Sequence, residues 1–499
     1  MIHSKAIDVL KTFTKEELKQ FSDFLRSPFH NKNKNLIALF DTIKNYHPEY
    51  TVDNALIFTK LYPDKSFNIN NIKKLMSEMM KLCERFLTIA CMEKEQFVLN
   101  KTLLKELSRR SLDEYYKIVL KRTEAEFPEE YPEHYNNRSV IEGYKIEFSL
   151  TRNLKSDYIK LHNDKFSNDI CYFLFQTLIY LQCMTAYKNS YNVNSENENL
   201  YKLITTVDYD FLIGNFDSDS NENKLIYMIL NMLKLFANPK QETNFFNAKA
   251  MFYELFDKSI QEIRDDYTLY FTVLSSHCTR MMRSHNLKFC KEQFELCNHR
   301  FMVMQNTKNV VVATHWNDIA NVIHISVYLN ETEWAENFLD EIEKFTNVKD
   351  FDYIFNYSKA CIEHRKGNPE KSLEYSSRIF LRDHELRVSV VIIKLSCYYD
   401  LELFETALSA VDSLSHQIYS SDKYNERYKS NLKCFADIYK KLLRLKEDTS
   451  KISEFDLNNV RKLLEEKEFT INDRWVLEKL KELEDIHNKS LKNMKLKHE

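Results

Sequence analysis

The side chains best suited to chemistry gather between positions 277 and 299. His277, Cys278, His285, Cys290, Cys297 and His299 offer imidazole and thiol groups, the donors that zinc takes most readily. Cys290 and Cys297 are seven residues apart, which puts both on one face of a helix. The six are the candidate metal ligands of the chain. Against that reading, the compact paired spacing of a zinc knuckle is missing, and Phe289, Phe294 and Leu296 flank the two thiols as core residues would. Cysteine in such company usually serves as a small buried hydrophobe, so no metal or cofactor is expected. A second cation motif starts at Asp217, Asp219 and Asn221, which match the first three ligand positions of a calcium loop. Calcium also needs glycine at the sixth position and a bidentate glutamate at the twelfth. Here those are Glu222 and Met228, so the segment reads as a polar turn capping the helix that follows.

Other chemistries lack their residues. Gly143, Gly214 and Gly367 are the only glycines and stand far apart, so no glycine-rich loop exists to cradle a phosphate and no serine elbow is framed by two glycines. Two basic faces could meet phosphates: Arg109, Arg110, Lys117, Lys121 and Arg122, and a C-terminal row of Lys489, Lys492, Lys495 and Lys497 with Leu491 and Met494 between them. Cations near helix C-termini also complement the helix dipole, and that plainer role is preferred. With 71 Lys+Arg against 74 Asp+Glu, nothing draws the whole chain to nucleic acid or to an anionic membrane.

The elements that must position these residues are helices. Three glycines in 499 residues is far below the usual share of about 7%, and sheets need glycine at hairpins and bulges where φ is positive. Helices joined by polar turns can use asparagine and aspartate for left-handed positions instead. The ten cysteines are scattered singly in apolar helical contexts, which suits a reducing compartment. The first residues lack a secretory h-region, and the most apolar stretch, Ile170 to Tyr187, is interrupted by Gln176, Thr177, Gln182 and Thr185. A buried central helix, no membrane span and a cytoplasmic location are expected.

Helical periodicity runs from end to end. Thr14 and Glu17 predict a capping box for a helix carrying Leu18, Phe21, Phe24 and Leu25. A long helix is predicted from about Asn70 to Met92, and Ser111 with Glu114 should cap another that ends at Phe127-Pro128. The stretch from Phe127 to Glu133, with two prolines, is the expected domain boundary. That divides the chain into an N-terminal helical domain (1–127), a helical array (133–445) and a charged helical C-terminal tail (446–499).

The array contains a repeat. Trp334, Pro369 and Phe404 are 35 residues apart, and so are Phe338, Leu373 and Leu408. Each opens a second helix after a polar turn. Two helices and two turns fill about 34 residues, the tetratricopeptide period. The stretch Gly367-Asn368-Pro369-Glu370-Lys371-Ser372-Leu373-Glu374-Tyr375 resembles the turn and second-helix opening of that repeat, with Ala360 at a small position of the first helix and Tyr398, Phe404 and Ala407 on the motif of the next unit. The resemblance, to the tetratricopeptide-like superfamily, covers about residues 310 to 420. It implies an all-α fold, an α-solenoid of antiparallel helix pairs, with a concave surface for partners. Departures are Ser372 and Asn337 for the usual alanine, and Glu402 and Asn330 for the usual turn glycine. The peptide-carboxylate clamp of some members is not carried over, because the facing positions hold Tyr357, Cys361, Ile392 and Ser396.

The expected function is therefore a non-enzymatic scaffold or adaptor that binds a protein or peptide through a helical-repeat groove. A nucleic-acid-associated regulator using the basic faces is the alternative, and a metal-dependent enzyme the third.

Overall fold

The computed structural model describes residues 4–127, 134–154, 158–190, 202, 204–213, 221–257, 266–307, 316–344, 351–379, 386–419, 426–468, 470 and 472–496. It is about 82% helical, and the described residues contain no strand. The chain divides into two compact units, Met1–Asn168 and Asp169–Glu499.

The first unit opens with α1 (Lys5–Leu10), α2 (Lys15–Arg26), α3 (Lys34–Ile43), α4 (Asn54–Leu61) and α5 (Ile69–Met92). The first four pack on α5, whose Ile72, Leu75, Met76, Met79, Cys83 and Phe86 point into one core. Phe13, Phe21 and Phe86 meet edge-on or tilted in that core, geometries that aromatic quadrupoles favour. The Thr14–Glu17 capping box forms as expected: the Glu17 amide donates to Thr14 Oγ1 and the Thr14 amide to Glu17 Oε2. Next come α6 (Gln96–Arg109), α7 (Asp113–Glu124) and α8 (His134–Thr151). Tyr116 lies flat on Phe148, 4.2 Å between centroids, and Arg152 grips Asp113. The expected cap at Ser111 is corrected here. Leu112 occupies the N-cap of α7 without a side-chain hydrogen bond, because Ser111 is used to close α6 instead. The proline-rich expected boundary lies mostly outside the described residues.

The helix α9 (Tyr158–Ser190) contains the most apolar stretch of the sequence. Cys171, Leu174, Phe175, Leu178 and Leu181 are buried, and no helix among the described residues is long and apolar enough to cross a membrane.

The second unit continues with α10 (Tyr209–Ile213), α11 (Asn221–Ala237), α12 (Glu242–Leu255), α13 (Tyr267–Arg283), α14 (Phe289–Asn306), α15 (Trp316–Tyr328), α16 (Thr332–Ile342), α17 (Phe351–Arg365), α18 (Pro369–Ser377), α19 (Leu386–Asp400) and α20 (Phe404–Tyr419). Each packs on its successor, and α15 also touches α17, as α17 touches α19. The repeat positions serve packing. Trp334 stacks on Phe338 and donates its indole N–H to Asn298. Ser372, fully buried where the repeat has alanine, donates its hydroxyl to the Ala360 carbonyl at 2.7 Å, so no polar group is left unmet.

Among the described residues one turn recurs six times. Ser111, Asn153, His285, Asn330, Gly367 and Glu402 all have positive φ, between 55° and 81°. Each is the left-handed residue of a Schellman motif. Its own amide donates three residues back, to Ser108, Leu150, Met282, Val327, His364 and Tyr399 respectively, and the next amide donates five residues back. Only one of the six is glycine. Asparagine supplies two, as the composition led one to expect, but serine, histidine and glutamate supply the rest.

The C-terminal segment, α21 (Glu426–Glu447), α22 (Glu454–Glu466) and α23 (Asp473–Leu496), is charged yet packed. Leu457, Val460, Leu464, Val476, Leu480 and Leu483 join Leu395, Tyr399, Leu414 and Tyr439 in one core.

Candidate functional site

The six turns set a common register. Counting back two, three and six residues from Asn330 gives Tyr328, Val327 and His324. From Gly367 the same count gives Arg365, His364 and Cys361, and from Glu402 it gives Asp400, Tyr399 and Ser396. Residues so spaced share one face of a helix. All nine line a single cleft of about 480 Å³. The three faces stand side by side because α15, α17 and α19 touch in sequence.

The opposite wall is the start of α23. Arg474 lies over the Tyr328 ring, 5.2 Å from its centroid. Glu478 takes a two-point grip from Arg365 Nη1 at 2.9 and 3.0 Å. Lys479 Nζ is 3.0 Å from Asp400 Oδ1, and the Trp475 indole donates to Asp400 Oδ2 at 3.3 Å while its ring meets Tyr399 edge-on. His364 Nε2 donates to the same carboxylate at 2.8 Å. Burial pushes the Asp400 carboxyl up, but His364 and Lys479 outweigh it and hold the group below the usual carboxylate range. Glu478 is held low in the same way, against burial, by Arg365 and Arg474. Deeper in the cleft wall, His324 meets the Tyr357 hydroxyl at 2.6 Å, and burial lowers its pKa to about 4. The hydroxyl of buried Tyr399 has no hydrogen-bond partner among the described residues. Such a surface can meet another helix through charge and aromatic contacts.

The sequence-based metal candidates do not converge. His277 is buried between Phe245, stacked at 5.4 Å, and Phe289, and neither ring nitrogen has a hydrogen-bond partner among the described residues. Burial first, then Arg280, lowers its pKa to about 4. Cys278 and Cys297 are buried, and burial raises both thiols, Cys297 to about 11. Cys290 contacts Met282 Sδ at 3.3 Å. His285 instead sits at a left-handed turn, exposed, with Nε2 2.9 Å from the Lys467 carbonyl, and His299 stacks on Tyr253. Among the described residues no group of three or more His, Cys, Asp and Glu side chains could hold a metal ion.

Asp217 and Asp219 lie outside the described residues. Asn221 opens α11, and Met228, at the calcium loop's twelfth position, is fully buried in it. On the first basic face Arg109 and Arg110 share Glu106, Lys117 pairs with Glu114, and Arg122 donates to Asn100. Lys489 and Lys492 are exposed on α23, and Lys497 lies outside the described residues. Sequence reasoning missed His364, Arg365 and Asp400 as a group with α23. No local signal could have found them, because the pairs join residues 75 and 113 apart. Comparison with family models, with curated proteins and with solved structures finds no match to this chain.

Proposed function

We propose that the chain is a non-enzymatic scaffold or adaptor: an α-solenoid of antiparallel, tetratricopeptide-like helix pairs that binds a protein or peptide partner in the cleft formed by its first helices. One observation carries the reading. Three successive helix pairs contribute the same three positions, counted from the same left-handed turn residue, to one continuous cleft. Stacked pairs present equivalent positions in rows, and such rows are what extended partners contact. The varied chemistry of the row, with Tyr328, Arg365 and Asp400 at matching places, gives it the means to discriminate.

The test is capture from the native cell with the full-length chain and with Ser396→Arg, which fills the cleft from its buried side. The reading expects partners recovered with the wild type to fall at least tenfold with the variant, while helical content by circular dichroism is unchanged. Equal recovery with both, from two folded proteins, would remove the cleft from consideration.

A further inference from the structure

The cleft already has an occupant, and it belongs to the chain. Arg474 and Glu478 are four residues apart on α23, as are Trp475 and Lys479, so the four form two adjacent rows on one helical face. They meet the three equivalent positions one by one: Arg474 on Tyr328 of α15, Glu478 on Arg365 of α17, and Trp475 with Lys479 on Asp400 of α19. Those three lie two residues before Asn330, Gly367 and Glu402. One helix thus reads three repeats in register, by an aromatic, a cationic and an anionic contact. Charge complementarity fits a bound helix better than an incidental crossing, because Glu478 faces Arg365 and Lys479 faces Asp400, while Arg474 covers the Tyr328 ring.

We propose that the first three turns of α23 are the resident ligand of this cleft, a latch, and that the partner it admits is an amphipathic helix bearing the same face: arginine and tryptophan, then glutamate and lysine one turn on. The partner competes with α23 for Tyr328, Arg365 and Asp400. The inference rests on the cleft being a binding face, as proposed above. A helix recognised by its polar row, with its apolar row turned to a neighbour, follows the general mode in which an amphipathic helix enters a groove.

The chain carries its own reporter. Cys361 lines the cleft and is buried, while Cys278 and Cys297 are buried elsewhere in the same unit. The experiment labels the full-length chain with a thiol reagent under native conditions and follows each cysteine by mass spectrometry. In Glu478→Arg, which sets two cations against each other, Cys361 should label at least tenfold faster than in the wild type, with Cys278 and Cys297 unchanged. A synthetic peptide of residues 472–496 should restore the protection of Cys361 in that variant, and the same peptide with its own Glu478→Arg change should not. Lys479→Glu, tested beside it, guards against a variant that fails to fold. If all three cysteines accelerate together, the variant has loosened globally and α23 is a structural strut. If Cys361 stays protected, or the peptide does not slow it, the latch is wrong. Loss of partners in Ser396→Arg with Cys361 still shut in Glu478→Arg and Lys479→Glu would keep the cleft and discard the latch. An opening latch with no partner lost in Ser396→Arg would do the reverse.

Discussion

His277 and His324 hold the clearest lesson at the scale of the residue. His277 lies in an apolar interior and His324 half-buried in the cleft wall, and for both burial lowers the pKa from 6.5 to about 4. The folded state therefore favours the neutral ring. Below pH 6.5 these two rings take up protons in the unfolded chain that they refuse in the folded one, so their contribution to stability falls as pH drops from about 6.5 to about 4 and is level outside that window. Each ring can contribute up to about 3 kcal/mol to that loss. Because neither nitrogen of His277 has a partner among the described residues and its ring lies among Phe245 and Phe289, His277→Phe should keep the wild-type unfolding free energy at pH 7.5 within about 1 kcal/mol. At pH 5 it should be the more stable of the two in urea. A variant that loses as much stability at pH 5 as the wild type would contradict this origin of acid sensitivity. The sequence drew attention to His277 for its chemistry. The flanking aromatics were the better guide, because they signalled a site too apolar to hold a charged ligand set.

At the scale of the element, the recurring turn decides where helices stop. Sequence reasoning found the period through Trp334, Pro369 and Phe404, which are visible because each opens a helix after a polar break. It read Asn330 and Glu402 as departures from the turn glycine, yet both adopt the left-handed conformation of Gly367. A side chain there costs about 1 to 2 kcal/mol, so the hydrogen-bonded turn, and not residue type, dictates the geometry. Glu402→Gly should raise stability by about 1 kcal/mol, even after loss of its exposed pairing with Lys446. Gly367→Ala should lower it by about 1 to 2 kcal/mol through the backbone alone, since an added Cβ at Gly367 would meet no atom within 4 Å. Chemical denaturation of both variants checks the pair, and stability changes of the opposite sign would refute the shared turn. Ser111 was misassigned for a related reason. A serine followed three residues later by glutamate fits a capping box, but the sequence alone did not reveal that the preceding helix needed the same residue for its own end.

For the whole molecule, the all-α character was legible from the glycine count, since helices close with Schellman turns that serine, histidine and glutamate can also adopt. The role of the C-terminal segment was not legible. Lys446 to Glu499 is rich in charge and reads as a solvated tail, whereas Val476, Leu480 and Leu483 are buried and Arg474, Glu478 and Lys479 meet residues on three other helices. Charges that look solvated in a sequence are paired in the fold when their partners lie about a hundred residues away, and periodicity carries no trace of such pairs.

The most direct measurement is position-resolved photo-crosslinking of the full-length chain in its native cell. A photoreactive amino acid would replace Val327, Tyr328 or His364 in the cleft and, in separate chains, Lys371 or Glu405 on the second helices. If the first-helix cleft is the recognition face, the three cleft positions should yield the same discrete adduct and the second-helix positions none. Adducts confined to Lys371 and Glu405, with the cleft positions silent, would contradict it.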